Sequence, residues 1–279
     1  MRNSPQKLLV FYGVLLITVL GVLFYFWDKY KKNLIPIRDY NEIKQEGILR
    51  ITTEYDPLSY YIKGDTISGF QYEISRAIAN IAGLEIETHL VISLSKSFQN
   101  LESNRVDIIA RNIPITKELK ENYLITNPLI LNRQVLVQRK PSANNNVALI
   151  RNQLDLAGKT CYIPNGSPAK IRLDNMAYEI SDTIHIIEEE RYSPEQLIIM
   201  VAKGDIDYVV CDQQIAAETA KHFPEIDIQT AISFYQFNAW IVRKDAPSLR
   251  DSLNSWIKTL KERGIYQKIY KQYYDNDTF

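Results

Sequence analysis

The chain has 279 residues, and its 33 Lys+Arg are balanced by 33 Asp+Glu, so its formal net charge is zero. That balance argues against the basic face a nucleic-acid binder needs. Apolar residues make up 46%, while Gly and Pro number only 10 and 11, which excludes collagen-like and low-complexity chains. Tyr, at 18, stands out. A polar-aromatic binding cleft or half-buried packing at element ends would each account for it.

The first element in chain order is a run of 20 uncharged positions, Leu8 to Trp27. As a helix it would be roughly 30 Å long, the thickness of a bilayer core. Phe24, Tyr25, Phe26 and Trp27 close it with an aromatic cluster suited to a membrane–water boundary. Those aromatics stand where a cleaved signal peptide would carry small residues, and no Cys lies nearby for a lipoprotein anchor. The expectation is an uncleaved single-pass anchor (8–27) behind a short cytoplasmic end (1–7). Arg2 and Lys7 before the span, against Lys29, Lys31, Lys32 and Arg38 after it, do not favour an N-inside orientation.

A polar stalk is expected over 28–46, followed by alternating strand and helix signals. GILRITT (47–53) reads as a buried strand. Phe70, Ile74, Ala77, Ile78 and Ile81 mark one helix face, with Gly83 as its stop. Val106 to Ala110, Gln134 to Gln138, Gly158 to Ile163 and Ile206 to Cys211 read as further strands. Ser193-Pro194-Glu195-Gln196 is a helix start: a Ser cap, Pro in the first turn, and Gln three after the cap. Leu249, Leu253, Trp256, Ile257 and Leu260 form an amphipathic helix ended by Gly264. The alternation predicts an α/β class.

Two segments 100 residues apart are alike, LESNRVDIIARN (101–112) and VAKGDIDYVVCD (201–212). Each reads as helix end, turn, Asp and apolar strand. If they are equivalent, Arg111/Asn112 and Cys211/Asp212 end corresponding core strands of two lobes. Ligands bind outside the carboxyl ends of strands in open α/β sheets, so the two ends would face across a cleft. Cys161 and Cys211 lie in apolar runs and read as buried free thiols, with a disulfide between them as the other option. His89, His185 and His222 are scattered, and HExxH, GxSxG, GxGxxG and P-loop patterns are absent, so no metal or cofactor is expected.

Gly47 to Ile51 with Pro57, then Gly69 to Ile74 with Ala77-Ile78-Ala79, resembles the opening of solute-binding protein family 3. Asp107 to Thr116, Asp155 to Lys159, Gly166-Ser167, Gly204 to Asp207 and the tail Arg243 to Tyr274 follow in that family's order. The six residues between Arg50 and Pro57, then Leu58-Ser59-Tyr60, are similar to the binding domain of the membrane-bound lytic murein transglycosylase F group. That group carries a lysozyme-like catalytic domain after the binding domain, for which no room is expected before Phe279.

The resemblance implies a two-lobed, type II periplasmic-binding (clamshell) fold after the anchor, with lobe 1 over 47–135 and 240–279 and lobe 2 over 136–239. It implies an extracytoplasmic domain, and hence an N-inside anchor. It also implies hinges near Arg133–Arg139 and Asn238–Arg243, and an amino acid, short peptide or cell-wall peptide fragment as ligand. A membrane transporter or a cell-wall enzyme would be the partner. An enzymatic alternative would need an acid/base pair in the cleft, and Glu54 with Asp56 is the one candidate.

In the family an Asp at the end of a lobe-2 strand takes the ligand ammonium, and Asp212 matches it. Its other reading is the N-cap of the next helix. The family's carboxylate-binding Arg falls on Leu119, so that clamp is missing. Arg111, placed right after an apolar strand, is the expected replacement, with a surface Arg or a partner of Glu118 as its other readings. Asn165, Gly166 and Ser167 would open a lobe-2 helix whose N–H groups suit an anion. Tyr55, Asp56 and Tyr60 would stack on the ligand, bond to it, or simply shape their loop. The Glu188-Glu189-Glu190 run reads as a solvated face.

Overall fold

The computed structural model describes residues 5–33 and 38–274, with side chains described over 11–26 and 38–274. The chain divides into two units, Met1–Ile37 and Arg38–Phe279. The first holds helix α1 (Pro5–Asn33), whose described side chains, over 11–26, are all exposed. Among the described residues no helix is long and apolar enough to cross a membrane. Of the span expected over 8–27, the backbone is described throughout and side chains only over 11–26.

The second unit begins with α2 (Tyr40–Glu46), within the expected stalk. Asp39 and Glu42 form a capping box at its start, and Ile43 is fully buried in the core. Asp39 also accepts the backbone N–H groups of Ser248 and Leu249 (3.1 and 2.7 Å). The second half of the stalk is therefore part of the folded domain. A single buried Ile in a polar segment gives periodicity too little to detect.

The chain continues through β1 (Ile48–Thr53), β2 (Tyr61–Lys63), β3 (Thr66–Ser68), α3 (Phe70–Ala82), β4 (Glu85–Leu90), α4 (Leu94–Glu102) and β5 (Ile108–Pro114). Next come α5 (Lys117–Asn122), β6 (Leu124–Ile125), β7 (Ile130–Asn132), β8 (Gln134–Arg139), β9 (Thr160–Pro164) and α6 (Ala169–Ile180). The remainder is β10 (His185–Glu189), α7 (Pro194–Lys203), β11 (Tyr208–Asp212), α8 (Gln213–Ala220), β12 (Ile226–Ala231), β13 (Gln236–Val242), α9 (Pro247–Glu262) and α10 (Ile265–Tyr274). The capping box at Ser193 and Gln196 opens α7, and Gly83 closes α3 in the left-handed conformation.

Two sheets form. The first has order β4-β1-β5-β13-β6, with β7 also on β13; the second has order β10-β9-β11-β8-β12. In the first, β1 is parallel to β4 and β5, and β13 runs antiparallel to β5. In the second, β9 is parallel to β10 and β11, and β8 runs antiparallel to β11. The two lobes thus repeat one pattern. The chain crosses between sheets at Arg133 and again over 232–235. Gln134 and Val135 already belong to the second sheet, and Gln236 to Ala239 to the first, so both crossings come earlier than the boundaries 135/136 and 239/240 suggest.

The 100-residue repeat carries a matching arginine in each lobe. Arg139, at the end of β8, donates from Nη1 to the carbonyls of Val201 and Ile206 (2.9 and 2.8 Å) and pairs with Asp207 (2.6 Å). Arg243, just after β13, donates to the carbonyls of Leu101 and Val106 (3.5 and 2.9 Å). Each guanidinium satisfies a carbonyl in the last turn of a helix and meets the negative end of its dipole. Asp107, the equivalent of Asp207, instead accepts the Arg50 N–H (2.9 Å) and pairs with Arg38 (2.8 Å).

The Tyr surplus is mostly packing. Tyr266, Tyr270, Tyr273 and Tyr274 of α10 meet Phe70 edge-on, with ring centroids 4.9–6.4 Å away. Cys161 and Cys211 are both free and buried, so the disulfide option falls. Arg139→Met should lower unfolding stability by about 2–4 kcal/mol, because it strands two carbonyls that a charged donor now serves. Urea denaturation measures this; a change within experimental error would show that the clamp is dispensable.

Candidate functional site

Parallel pairing of β1 with β5 sets Ile51 against Ile108 and Thr52 against Ile109. Carried two residues further, that register puts Glu54 level with Arg111. The two form a buried ion pair, at 8% and 7% exposure. Arg111 Nη1 also donates to the Ile92 carbonyl (3.2 Å) and to Ser97 Oγ (3.3 Å). Arg111 therefore does not stand free at a strand end, and its partner is not Glu118. It lies within β5, which starts later and runs further than the apolar run Val106–Ala110, and its charge is already balanced. Isolated burial would be prohibitive for either ion; together, and hydrogen-bonded, they are stable.

Asn112, next along β5, is held by a chain of buried polar groups. Trp240 Nε1 donates to Gln71 Oε1 (2.6 Å), Gln71 Nε2 donates to Asn112 Oδ1 (2.6 Å), and Asn112 Nδ2 donates to the Tyr274 hydroxyl (3.2 Å). The core of lobe 1 thereby fixes an amide at the cleft.

Asp212 ends β11 and caps α8, the second of its two readings. One carboxylate oxygen accepts the N–H groups of Gln214 and Ile215 (2.9 and 3.3 Å), and the other accepts from Asn132 Nδ2. Burial pushes this carboxyl up to about 6, and the charge of Glu54 adds to the rise, against those three hydrogen bonds.

Glu54, Arg111, Asn112, Gln134, Asn165, Ser167 and Asp212 line one small cavity of about 60 Å³ between the lobes. It shares Leu94, Ile113, Ser167 and Pro168 with an outer groove of about 330 Å³. That groove is walled by Leu94, Phe98, Ile113, Leu119 and Tyr123 on one side and by Gly166, Pro168 and Ile171 on the other. The lobes touch across it: Ser93 Oγ donates to Asn165 Oδ1 (2.8 Å). Gly166 is required there twice over. Its φ is +72°, and a Cβ would come within 2.8 Å of Ser95 Oγ.

The anion nest expected at Asn165, Gly166 and Ser167 is closed. Asn165 N–H donates to the Glu189 carbonyl (2.9 Å), Gly166 N–H to Glu188 (3.3 Å) and Ser167 N–H to the Pro164 carbonyl (3.0 Å). The helix itself starts later, at Ala169, whose N–H donates to Ser167 Oγ (3.2 Å). Glu188, read as part of a solvated face, is instead half-buried between this loop and Lys170.

Tyr55, Asp56 and Tyr60 do not line the cleft cavity. Tyr55 is 48% exposed. Asp56 is fully buried and accepts the N–H groups of Leu58 and Ser59 (both 2.7 Å), a turn-forming role. Tyr60 packs edge-on against Tyr72 (5.3 Å). Sequence reasoning missed Gln134, whose buried Oε1 has no hydrogen-bond partner, and Ser93, the lobe-1 side of the closure contact. It also saw Glu54 only as a partner of Asp56. No sequence signal marks these residues, because their roles depend on register and lobe approach.

Burial, reinforced by the charge of Glu54, raises Asp56 to about 7. The folded carboxyl thus holds its proton well above the roughly 4 of an unfolded Asp. The folded state binds more protons between those values, so stability is highest at the acid end and falls as pH rises toward 7. Asp212 contributes with the same sign. Urea midpoints from pH 5 to 8 should fall for the parent protein and flatten in Asp56→Asn; an unchanged slope would show that Asp56 titrates normally.

The profile of the bacterial extracellular solute-binding proteins, family 3, matches residues 48–276. Among curated proteins, the membrane-bound lytic murein transglycosylase F of Desulfosudis oleivorans is 30% identical over 239 residues, covering 85% of this chain and 51% of that protein. The protein of the same name from Photobacterium profundum is 26% identical over 243 residues, covering 85% and 46%. The chain therefore spans about half the length of these relatives. Among solved structures, a mutant of ArgBP from T. maritima superimposes with a TM-score of 0.73 at 23% identity, covering 85% of this chain and 99% of that one. An ancestral arginine-binding protein bound to glutamine gives 0.72 at 22% identity, covering 82% and 99%. These structural likenesses show the two-lobed solute-binding fold. On the match over 48–276, the chain belongs to the bacterial extracellular solute-binding proteins, family 3.

Proposed function

We propose that this protein is a membrane-anchored, extracytoplasmic binding protein for an amino acid, a short peptide or a cell-wall peptide fragment, closing over its ligand by a hinge. The observation that carries the reading is the inter-lobe cavity, with Asp212, Glu54, Arg111 and Asn112 in its wall and Ser93 reaching Asn165 across its mouth. Buried and half-buried charges that converge on a small space between two lobes suit a ligand with charged or polar ends. The single-chain crossings at Arg133 and over 232–235 are the natural hinge, because rotation there leaves both sheets intact. A membrane transporter or a cell-wall enzyme would read the closed state.

The anchor rests on α1. Its 29 residues span roughly 43 Å, and Leu8 to Trp27 carry no charge. Phe11, Ile17, Leu23 and Phe24 are among its exposed apolar side chains, a surface that water does not favour.

A thermal-shift screen of the protein against amino acids and muropeptides tests the binding reading. A true ligand at 100 times its Kd should add about 2.7 kcal/mol and raise Tm by several degrees. Asp212→Asn should abolish that rise. A flat response across the whole set would remove the reading. For the anchor, the full chain should stay with membranes through an alkaline carbonate wash, and a variant lacking 1–37 should wash off; release of the full chain would refute the span.

A further inference from the structure

Resting on the binding reading above, we infer that the cleft is built for an amine carrying an apolar substituent and no free carboxylate. The class comprises apolar primary amines and amino acids whose carboxyl is blocked as an amide, as at the N-terminus of a peptide.

The charges at the inner cavity come first. Glu54 and Asp212 are two carboxylates, and Arg111 is one guanidinium. Among the described residues, no other Lys or Arg lines this cavity or the outer groove. Arg111 is already committed to Glu54, the Ile92 carbonyl and Ser97. The partners of Asp212 are neutral: one side-chain amide and two backbone N–H groups. One negative charge is therefore left for the ligand to balance, and a monocation does so. A ligand carboxylate would have to displace Glu54 from Arg111 and leave Glu54 buried and unpaired.

An independent observation points the same way. Gln134 is 8% exposed, lines the inner cavity, and its Oε1 acceptor has no partner. A buried acceptor needs a donor; an ammonium offers three and a carboxylate none. The backbone donors that could have received an anion, at Asn165, Gly166 and Ser167, are spent on Glu189 and Glu188 of β10 and on the Pro164 carbonyl. The outer groove then defines the rest of the molecule. Leu94, Phe98, Ile113, Leu119 and Ile171 make its walls apolar, and its charged neighbour, Glu118, is another acid. The ammonium sits inside and the apolar group fills the groove.

The test is calorimetric titration of the full chain with four matched probes: 3-methylbutylamine, L-leucinamide, L-leucine and N-acetyl-L-leucine. The first two should bind at least tenfold tighter than leucine, and the acetylated acid should not bind. Asp212→Asn should weaken the two amines at least tenfold. Leu119→Arg, which places a cation in the groove, should shift the preference toward leucine. Leucine binding as tightly as leucinamide would overturn this inference and leave the binding reading intact. Binding of other amino acids without these amines would do the same. Failure of all four probes together with every amino acid and muropeptide would remove both.

Discussion

Two strands cross from one lobe to the other, and the cleft depends on how each is locked beside its new neighbour. β8 lies antiparallel to β11 and β13 lies antiparallel to β5, each inserted next to the central parallel strand of its sheet. An arginine at the end of each strand, Arg139 or Arg243, reaches a carbonyl in the last turn of the preceding helix and a carbonyl just before the central strand. Helix ends leave carbonyls that need donors, and a guanidinium serves two at once. The same solution in both lobes makes them near-copies. β11 ends in Asp212 and β5 carries Arg111 and Asn112, and all three side chains reach one cavity.

The polarity of that cavity follows from pairing. Glu54 neutralises Arg111, so the guanidinium reaches the cleft as half of an ion pair. Asp212 keeps its charge among neutral donors, at a cost that shows in its raised pKa. The chain of bonds from Trp240 through Gln71 to Asn112 ties one cleft wall to the core of lobe 1, which limits how far that wall can yield when a ligand arrives. Across the cleft, Gly166 lets the two backbones approach. On the lobe-1 side of the outer groove, Leu94, Phe98, Ile113, Leu119 and Tyr123 belong to one apolar cluster.

Much of this architecture was legible because it is local. The Ser193-Pro194-Gln196 helix start, the Gly83 stop and the apolar runs of β1, β8 and β11 are short-range patterns with short-range causes. The 100-residue repeat was visible as text and proved to be the two central strands with their preceding helices. Arg111 was misplaced for a definite reason. A charged residue after an apolar run reads as a strand end, whereas a buried partner lets the strand continue through it, and nothing near Arg111 in sequence reveals Glu54. The segment Tyr40–Glu46 read as stalk because its one core side chain, Ile43, makes no periodic pattern.

By itself the sequence determined the α/β alternation, the family order of its motifs, the uncharged N-terminal run and the presence of an Asp where a core strand meets a helix. Each is written in composition or in spacing of a few residues, where backbone preference and hydrophobic period act. Only the tertiary structure decided that Arg111 meets Glu54, that the loop at Asn165 to Ser167 spends its own donors, and that Gln134 is left with an unanswered acceptor. These are matters of strand register and of how closely two lobes approach. The Arg111–Glu54 pair joins residues 57 positions apart, and such a pairing is set by the packing of the whole domain.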